Sequence, residues 1–341
     1  MDTTLLLEAA RAGDRSGFGR LVEPHRRELL VHCYRMLGSL QDAEDLVQES
    51  LLRAWQKLGT YEGRASFRSW LYKIATNACL DALDRRPRRT LPPGRALSAD
   101  PGAVPAPPVT EPIWLEPFPD DFLDEASPTP EARYDAHESI TLAFLSALQA
   151  MPPRQRAVLI LCDVLEWQAD EAAQTLDITT GSVSSALHRA RVTLAKSYRS
   201  GDLVSMSPEP TDERTRSLLE RYVRAWENAD IDALVALLKD DATFAMPPFP
   251  SWYRGKIAIR DFIRMEILAG PAQSRYRLEP TRANGRAAFG WYRLDDSDHR
   301  FHGFAIQVVG LEGELVSDIT TFMNPALFER FALPDSMETR R

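Results

Sequence analysis

Eleven of the chain's 24 prolines lie between Pro92 and Pro130. Proline fixes φ and lacks a backbone N–H, so this stretch can neither continue a helix nor supply a central strand. Arg95 is its only cation, and acids outnumber bases. A segment of that composition cannot bury enough apolar surface to fold alone. Residues 87–130 are therefore expected to be a linker, dividing the 341-residue chain into parts that fold separately. Two roles stand open for it, an inert spacer or an extended acidic strand that docks. The run from Trp114 to Asp120, WLEPFPD, places two aromatics among acids and favours docking.

Before the linker, residues 41–86 read as two amphipathic helices of opposite charge. The first, about Asp42 to Leu58, has Val47, Leu51, Ala54, Trp55 and Leu58 on one stripe. Asp42, Asp45, Gln48 and Glu49 lie on its other side, and Asp42 and Glu44 complement the helix dipole. Ser66 is placed to cap the second helix, whose stripe is Phe67, Leu71, Ile74, Ala75, Ala78 and Ala82. Its far side shows Trp70, Lys73 and Asn77 and runs out into Arg85 and Arg86. Cations meet phosphates, and an aromatic face takes an unstacked base, so this pattern suits nucleic acid. A solvated charged face with Trp70 in the core is the alternative. Residues 3–38 read as two further helices, with Asp14 or Ser16 capping the second. His32 reads as a packed histidine, since no second ligand is spaced to join it.

After the linker, residues 131–200 form a second helical module. EARYDAHESITLAFLSALQAM reads as one helix stopped by Pro152 and Pro153. A short helix (DEAAQTLD), a turn (ITTG) and a longer helix from Ser182 follow, the order of a helix-turn-helix. Thr180 or Ser182 would cap the longer helix. Val183, Leu187, Ala190 and Leu194 would pack inward, leaving Ser184, Ser185, His188, Arg189 and Arg191 for a DNA groove or phosphates.

Net charge is −8, which argues against a protein that simply coats DNA, but the charge is uneven. Arg64, Arg68, Lys73, Arg85, Arg86, Arg88 and Arg89 face only Asp81 and Asp84 between residues 64 and 89, and local field governs a DNA contact. Cys33, Cys79 and Cys162 show no metal-ligand spacing and read as free buried thiols in a reducing cytoplasm. The N-terminus lacks the basic region of a signal peptide, and no apolar run is long enough to span a membrane. No metal or cofactor is expected.

DAEDLVQESLLRAW followed by FRSWLYKIATNACLDALDRR resembles region two of the extracytoplasmic-function sigma factors of bacterial RNA polymerase, within the sigma-70 family. The resemblance implies that Asp42, Asp45, Leu46, Val47, Gln48 and Glu49 bind the clamp helices of the polymerase's largest subunit. It also implies that Arg64, Trp70, Lys73, Asn77, Arg85 and Arg86 open and hold the minus-ten promoter element. Residues 131–200 are similar to region four, which reads the minus-thirty-five element and meets the polymerase flap. Thr180, Ser182, Ser184, Ser185, His188, Arg189 and Arg191 would be its contacts. The sequence departs from the group's pattern at Ser184, Ser185 and Ala186, where arginines are common. Serine gives less than the roughly 1–3 kcal/mol of a bidentate arginine–guanine pair.

A second short linker, 201–211, precedes residues 212–335. These read helix, helix, strand, loop, helix, then strands joined by an Asn284–Gly285 turn, a strong hairpin signal. Helices followed by a curved antiparallel sheet make an α+β domain, which resembles the SnoaL-like cyclase and ketosteroid isomerase superfamily with its cone-shaped pocket. The expected fold is thus multidomain: two all-α sigma modules, the second a helix-turn-helix, and a C-terminal α+β domain. Trp252, Tyr253, Trp291, His299, His302 and Asp318 are the candidate pocket residues. His299 and His302, three apart on a strand, would point to opposite faces, which weakens a joint role. Core aromatics with satisfied surface histidines are one reading of these residues; the other is a regulatory domain, taking a small hydrophobic ligand or acting only by docking on the sigma modules, which is favoured over catalysis. The rival reading is a DNA-tethered cyclase or isomerase.

Overall fold

The computed structural model describes residues 3–85, 87–94, 97–109, 113–124, 137, 139–199, 213–268 and 275–338. The chain forms two compact units. One comprises Met1–Arg89, Phe122–Ser139 and Ala143–Leu203; the other comprises Thr90–Asp121, Ile140–Leu142 and Val204–Arg341.

The first unit is helical. Residues 3–38 hold three helices rather than the two expected, α1 (Thr3–Arg11), α2 (Arg15–Val22) and α3 (Arg26–Leu37). Pro24 sits in a 3-10 turn, Glu23–His25, that splits what periodicity alone joins. Asp14, not Ser16, caps α2 by accepting the Ser16 N–H at 2.9 Å. Gly38 ends α3 at φ 72°, and the Ser39 hydroxyl then caps α4 (Leu40–Lys57). Ser66 caps α5 (Phe67–Leu83), accepting from the Ser69 N–H at 3.0 Å. Beyond the linker come α6 (Leu142–Ala150), α7 (Pro153–Leu159) widening into a π turn at Ile160–Val164, α8 (Ala169–Leu176) and α9 (Thr180–Arg199). The long helix expected before Pro152 is shorter, because Ser139 and Ile140 form a turn; residues 131–136 and 138 of that expectation lie outside the described residues.

Region-two and region-four helices share this unit. Arg156, 1% exposed, joins them. Its guanidinium donates to the carbonyls of Leu148 (2.8 Å) and Met36 and to Gln149 Oε1 (2.7 Å). Burial, then the charge of Arg88, lowers its pKa to about 10, and the surrounding acceptors keep the charge solvated in place of water. Tyr72 of α5 meets Trp167 at 5.3 Å between ring centroids.

The second unit is a seven-stranded sheet, order β2-β1-β6-β5-β4-β3 with β7 beside β5. The strands are β1 (Leu238–Ala245), β2 (Trp252–Arg254), β3 (Tyr276–Ala283), β4 (Arg286–Asp295), β5 (Arg300–Glu312), β6 (Leu315–Phe322) and β7 (Ser336–Glu338). The sheet is mixed, not antiparallel throughout: β1 and β6 run parallel. The helix and four strands between them supply the crossover that parallel pairing needs. Asn284 (φ 55°) and Gly285 (φ 71°) turn the β3–β4 hairpin as expected. Helices α10 (Glu213–Glu227), α11 (Ile231–Ala236) and α12 (Lys256–Phe262) precede β3. Tyr222 and Trp226 of α10 pack in one core with Phe289 and Trp291, while Tyr292 and Phe301 belong to a separate core with Phe328.

Residues 90–121, read from the sequence as linker, pack within this sheet unit. Ile113, Trp114, Leu115 and Phe118 are buried. The Asn284 side chain accepts the Phe118 N–H at 2.9 Å, and Phe118 O accepts the Asn284 N–H at 3.0 Å. Asp120 accepts the Gly285 N–H at 2.9 Å and pairs with Arg282 at 3.2 Å.

Candidate polymerase, promoter and ligand sites

On α4, Asp45, Gln48 and Glu49 are exposed, and Glu49 pairs with Arg53 at 2.6 Å. Leu46 and Val47 are 8% and 6% exposed and belong to the bundle core, so they offer no surface to a partner. Asp42 differs too. Its carboxylate pairs with Arg89 at 2.7 Å, and the two side chains are 15% and 8% exposed. This acid anchors the segment after α5. Sequence reading missed Leu52, 57% exposed, which falls seven residues after Asp45 on the same face. An apolar side chain ringed by Asp45, Gln48 and Glu49 has the make-up of an interface patch. The heptad step from Asp45 was the available signal.

On α5, Trp70 is half-buried. Its ring lies 5.1 Å from Tyr61 and 5.6 Å from Phe67, in an aromatic cluster that Tyr61 completes from the preceding loop. Asn77 is half-buried two turns further along the same face, and Arg85 is exposed. Arg64 is exposed and pairs with Glu62 at 2.7 Å. Arg86 lies outside the described residues. Lys73 is engaged within the unit: its ammonium donates to Asp177 at 2.6 Å and to Gln174 O at 3.0 Å, both in the helix-turn-helix segment. Beneath this face His32 bonds Thr76 at 2.9 Å, and burial, then the charges of Arg35 and Arg68, drops its pKa to about 3. Burial raises the Glu28 pKa, but hydrogen bonds from His25 and Arg68 outweigh it and the net shift is downward.

The helix-turn-helix turn is Asp177–Thr179, with Asp177 at φ 51°. Thr179, not Thr180 or Ser182, caps α9: its hydroxyl accepts the Ser182 N–H at 3.1 Å. The helix starts two residues earlier than expected because Thr179 offers the cap first. Thr180 and Ser182 therefore stand exposed in its first turn, with Ser184, Ser185, His188 and Arg189 exposed beyond them. Ser184 Oγ donates back to Thr180 O at 3.1 Å. Arg191 is held by both oxygens of Asp163, at 2.9 and 2.6 Å, so it braces α9 against the π turn. Val183 and Ala190 are buried as expected.

In the sheet unit, a cavity of about 230 Å³ is lined by Met246, Phe249, Tyr253, Ile267, Tyr276, Trp291 and Phe304, with Glu266, Arg293 and Pro105 also on its wall. Tyr253 and Trp291 are there as expected. Trp252, His299, His302 and Asp318 are not. His299 sits in a turn at φ 55°, before β5 begins, so strand alternation does not apply to it. His302 bonds Asp298 at 2.7 Å on the exposed side. Asp318 is bound to Arg286 at 2.8 Å. Burial, then the Glu266 charge, pushes the Tyr253 phenol up, so it stays protonated at neutral pH.

Surfaces of this kind on a helix-turn-helix chain define a transcription initiation factor, and the comparisons agree. Family models match sigma-70 region 2 at residues 21–89, sigma-70 region 4 at 141–194 and a SnoaL-like domain at 219–318. The chain is similar to ECF RNA polymerase sigma factor SigG of Mycobacterium tuberculosis, 43% identical over 95% of this chain and 85% of that one. It is 34% identical to sigma factor SigE of Mycolicibacterium smegmatis over 50% of this chain and 57% of that one. Its fold is like the crystal structure of M. tuberculosis SigJ, with a TM-score of 0.56 and 21% identity over 91% of this chain and 97% of that one. The chain belongs to the ECF RNA polymerase sigma factors. It binds RNA polymerase core and promoter DNA and directs transcription initiation. No helix among the described residues is long and apolar enough to cross a membrane.

Proposed function

We propose that the α4 face of Asp45, Gln48, Glu49 and Leu52 grips the polymerase core, and that α5 with Trp70, Lys73 and Asn77 holds the separated minus-ten strands. Arg64, Arg85 and Arg86 steer the DNA, and Thr180, Ser182, Ser184, Ser185, His188 and Arg189 of α9 face the minus-thirty-five element. Asp42 and Arg191 position these helices rather than touch the partners. The observation that carries this reading is the segregation of exposed groups: carboxylates ring an exposed leucine on α4, while aromatics and cations cluster on α5. Lys73 rests in an exposed pair with Asp177, and promoter phosphate would take that partner's place.

The C-terminal domain is a regulator without catalysis of its own, acting in the cytoplasm and sensing a small hydrophobic ligand. The cavity wall supports this: its one carboxylate among the described residues, Glu266, is exposed, and no histidine lines it. A cyclase or isomerase would need a shielded general base there. Reversing Asp45→Lys with Glu49→Lys should abolish co-elution with polymerase core while leaving the melting curve unchanged. Undiminished holoenzyme assembly in that variant overturns the assignment of α4.

A further inference from the structure

Arginine is absent from the first two turns of α9, where residues 180–186 read Thr, Gly, Ser, Val, Ser, Ser, Ala. Val183 and Ala186 are buried, so the outward positions are Thr180, Gly181, Ser182, Ser184 and Ser185. The first long polar side chains facing out are His188 and Arg189, a turn further on. The major groove of B-form DNA admits an α-helix. A helix with only short outward side chains in its first two turns can bring its hydroxyls close to the base edges there.

Those hydroxyls are not equivalent. Ser182 Oγ lies 2.9 Å from Thr179 Oγ1, within the helix cap. Ser184 Oγ donates one turn back to Thr180 O at 3.1 Å, as Thr193 Oγ1 does to Arg189 O at 3.1 Å. A hydroxyl carries one hydrogen and two acceptor lone pairs. With its hydrogen committed to a helix carbonyl, Ser184 presents an acceptor alone to the outside. Ser185 makes no such bond among the described residues, so its hydroxyl can donate or accept.

We infer that Ser184 is a specificity-determining residue of the minus-thirty-five contact: its hydroxyl accepts a hydrogen bond from an exocyclic amino group, so one position of the element is adenine or cytosine rather than guanine or thymine. The inference rests on the reading of α9 as the helix that faces this element. In the major groove adenine N6 and cytosine N4 are the amino donors, whereas guanine offers N7 and O6 and thymine offers O4, all acceptors. To meet guanine or thymine the hydroxyl must turn away from Thr180 O, so one bond is exchanged for another and nothing is gained. The difference between the two classes of base is then about one neutral hydrogen bond, roughly fivefold in affinity.

In the test, holoenzyme assembled from the full-length chain and RNA polymerase core is offered duplex promoter fragments randomised across the minus-thirty-five region, and the bound fragments are sequenced. The expected result is one position where adenine and cytosine outnumber guanine and thymine about fivefold. Ser184→Ala, an exposed change that favours the helix, should flatten that position and leave the others as they are. Ser184→Thr, which keeps a hydroxyl able to make the same bond to Thr180 O, should retain the preference. Replacing adenine there by unsubstituted purine, which lacks the amino group, should weaken binding about fivefold for the unaltered chain and not at all for Ser184→Ala. An unchanged profile in Ser184→Ala overturns the inference, and so does a Ser184-dependent position that prefers guanine or thymine. In either case the wider reading of α9 stands if Arg189→Ala weakens binding to the selected fragments about fivefold or more. Unchanged profiles and undiminished binding in Ser184→Ala and Arg189→Ala alike remove that reading and the inference together.

Discussion

Arg156 in the helical unit and Phe118 in the sheet unit each tie together segments more than a hundred residues apart, by opposite chemistry. Arg156 reaches Met36 through a buried guanidinium that must find acceptors for its donors. Phe118 is wholly buried and needs only shape, with its backbone paired to Asn284. The first junction is polar and surrounded by marginal ion pairs such as Lys73–Asp177, whose side chains are 37% and 71% exposed. Exposed pairs of that kind contribute less than about 1 kcal/mol. The second junction is apolar at the Phe118 ring, with Asp120 and Asn284 adding polar bonds at its edge, and the ring's share of the cost of opening scales with buried area. If the sigma modules part on promoter DNA as proposed, a hydratable seam between them suits that step. An interface with no such duty is sealed with aromatics.

Truncating the apolar junction should cost most. Phe118→Ala removes a fully buried ring and is expected to destabilise the sheet unit by about 3–4 kcal/mol, read as a lowered transition for that unit in scanning calorimetry. A loss as small as that of an exposed alanine substitution would show the junction to be dispensable.

At the polar junction, Arg156→Met removes the donor to Gln149 Oε1 and leaves the Met36 carbonyl only a 3.4 Å bond from Gln149 Nε2, while the Leu148 carbonyl keeps the Met151 N–H. The expected cost is about 2–3 kcal/mol, accompanied by a larger radius of gyration in small-angle scattering as the helices of the two modules separate. An unchanged radius would show that apolar contacts such as Tyr72–Trp167 hold the modules together instead.

A smaller effect sharpens the contrast through pH. His32 is neutral when folded, with its pKa at about 3, against about 6.5 unfolded. The unfolded chain therefore binds the extra proton, and stability from this residue is present above about pH 6.5 and is lost as pH falls toward 3. Glu28, also lowered, acts in the same direction. Between pH 7 and 5 the helical unit should lose about 2 kcal/mol through His32, and His32→Gln should lose that much less in urea titrations at the two pH values. The sheet unit should show no matching term.

Much of the helical part was readable from residue order. Ser66 as a cap, the α5 stripe and the short-helix, turn, long-helix run all rest on local rules, and local hydrogen bonds enforce them. Leu46 and Val47 were misassigned because a resemblance carries a stretch of chain, whereas burial separates neighbours on a helix by 100° a residue. Thr179 as cap was missed because three hydroxyl residues compete within four positions and only φ and ψ choose among them. In the sheet domain, the Asn284–Gly285 turn announced itself, but the parallel β1–β6 pairing did not, since no local signal specifies a partner seventy residues away.

Sequence by itself determined the family, the helical modules and the location of the proline-rich break, because proline chemistry and apolar periodicity act within a few residues. Tertiary structure alone decided that residues 90–121 fold onto the sheet unit, that Asp42 and Arg191 brace rather than reach outward, and that Tyr253 and Trp291 share a cavity while His302 does not. Those outcomes depend on which distant surface buries a given side chain, and burial is a property of the folded neighbours rather than of the chain segment.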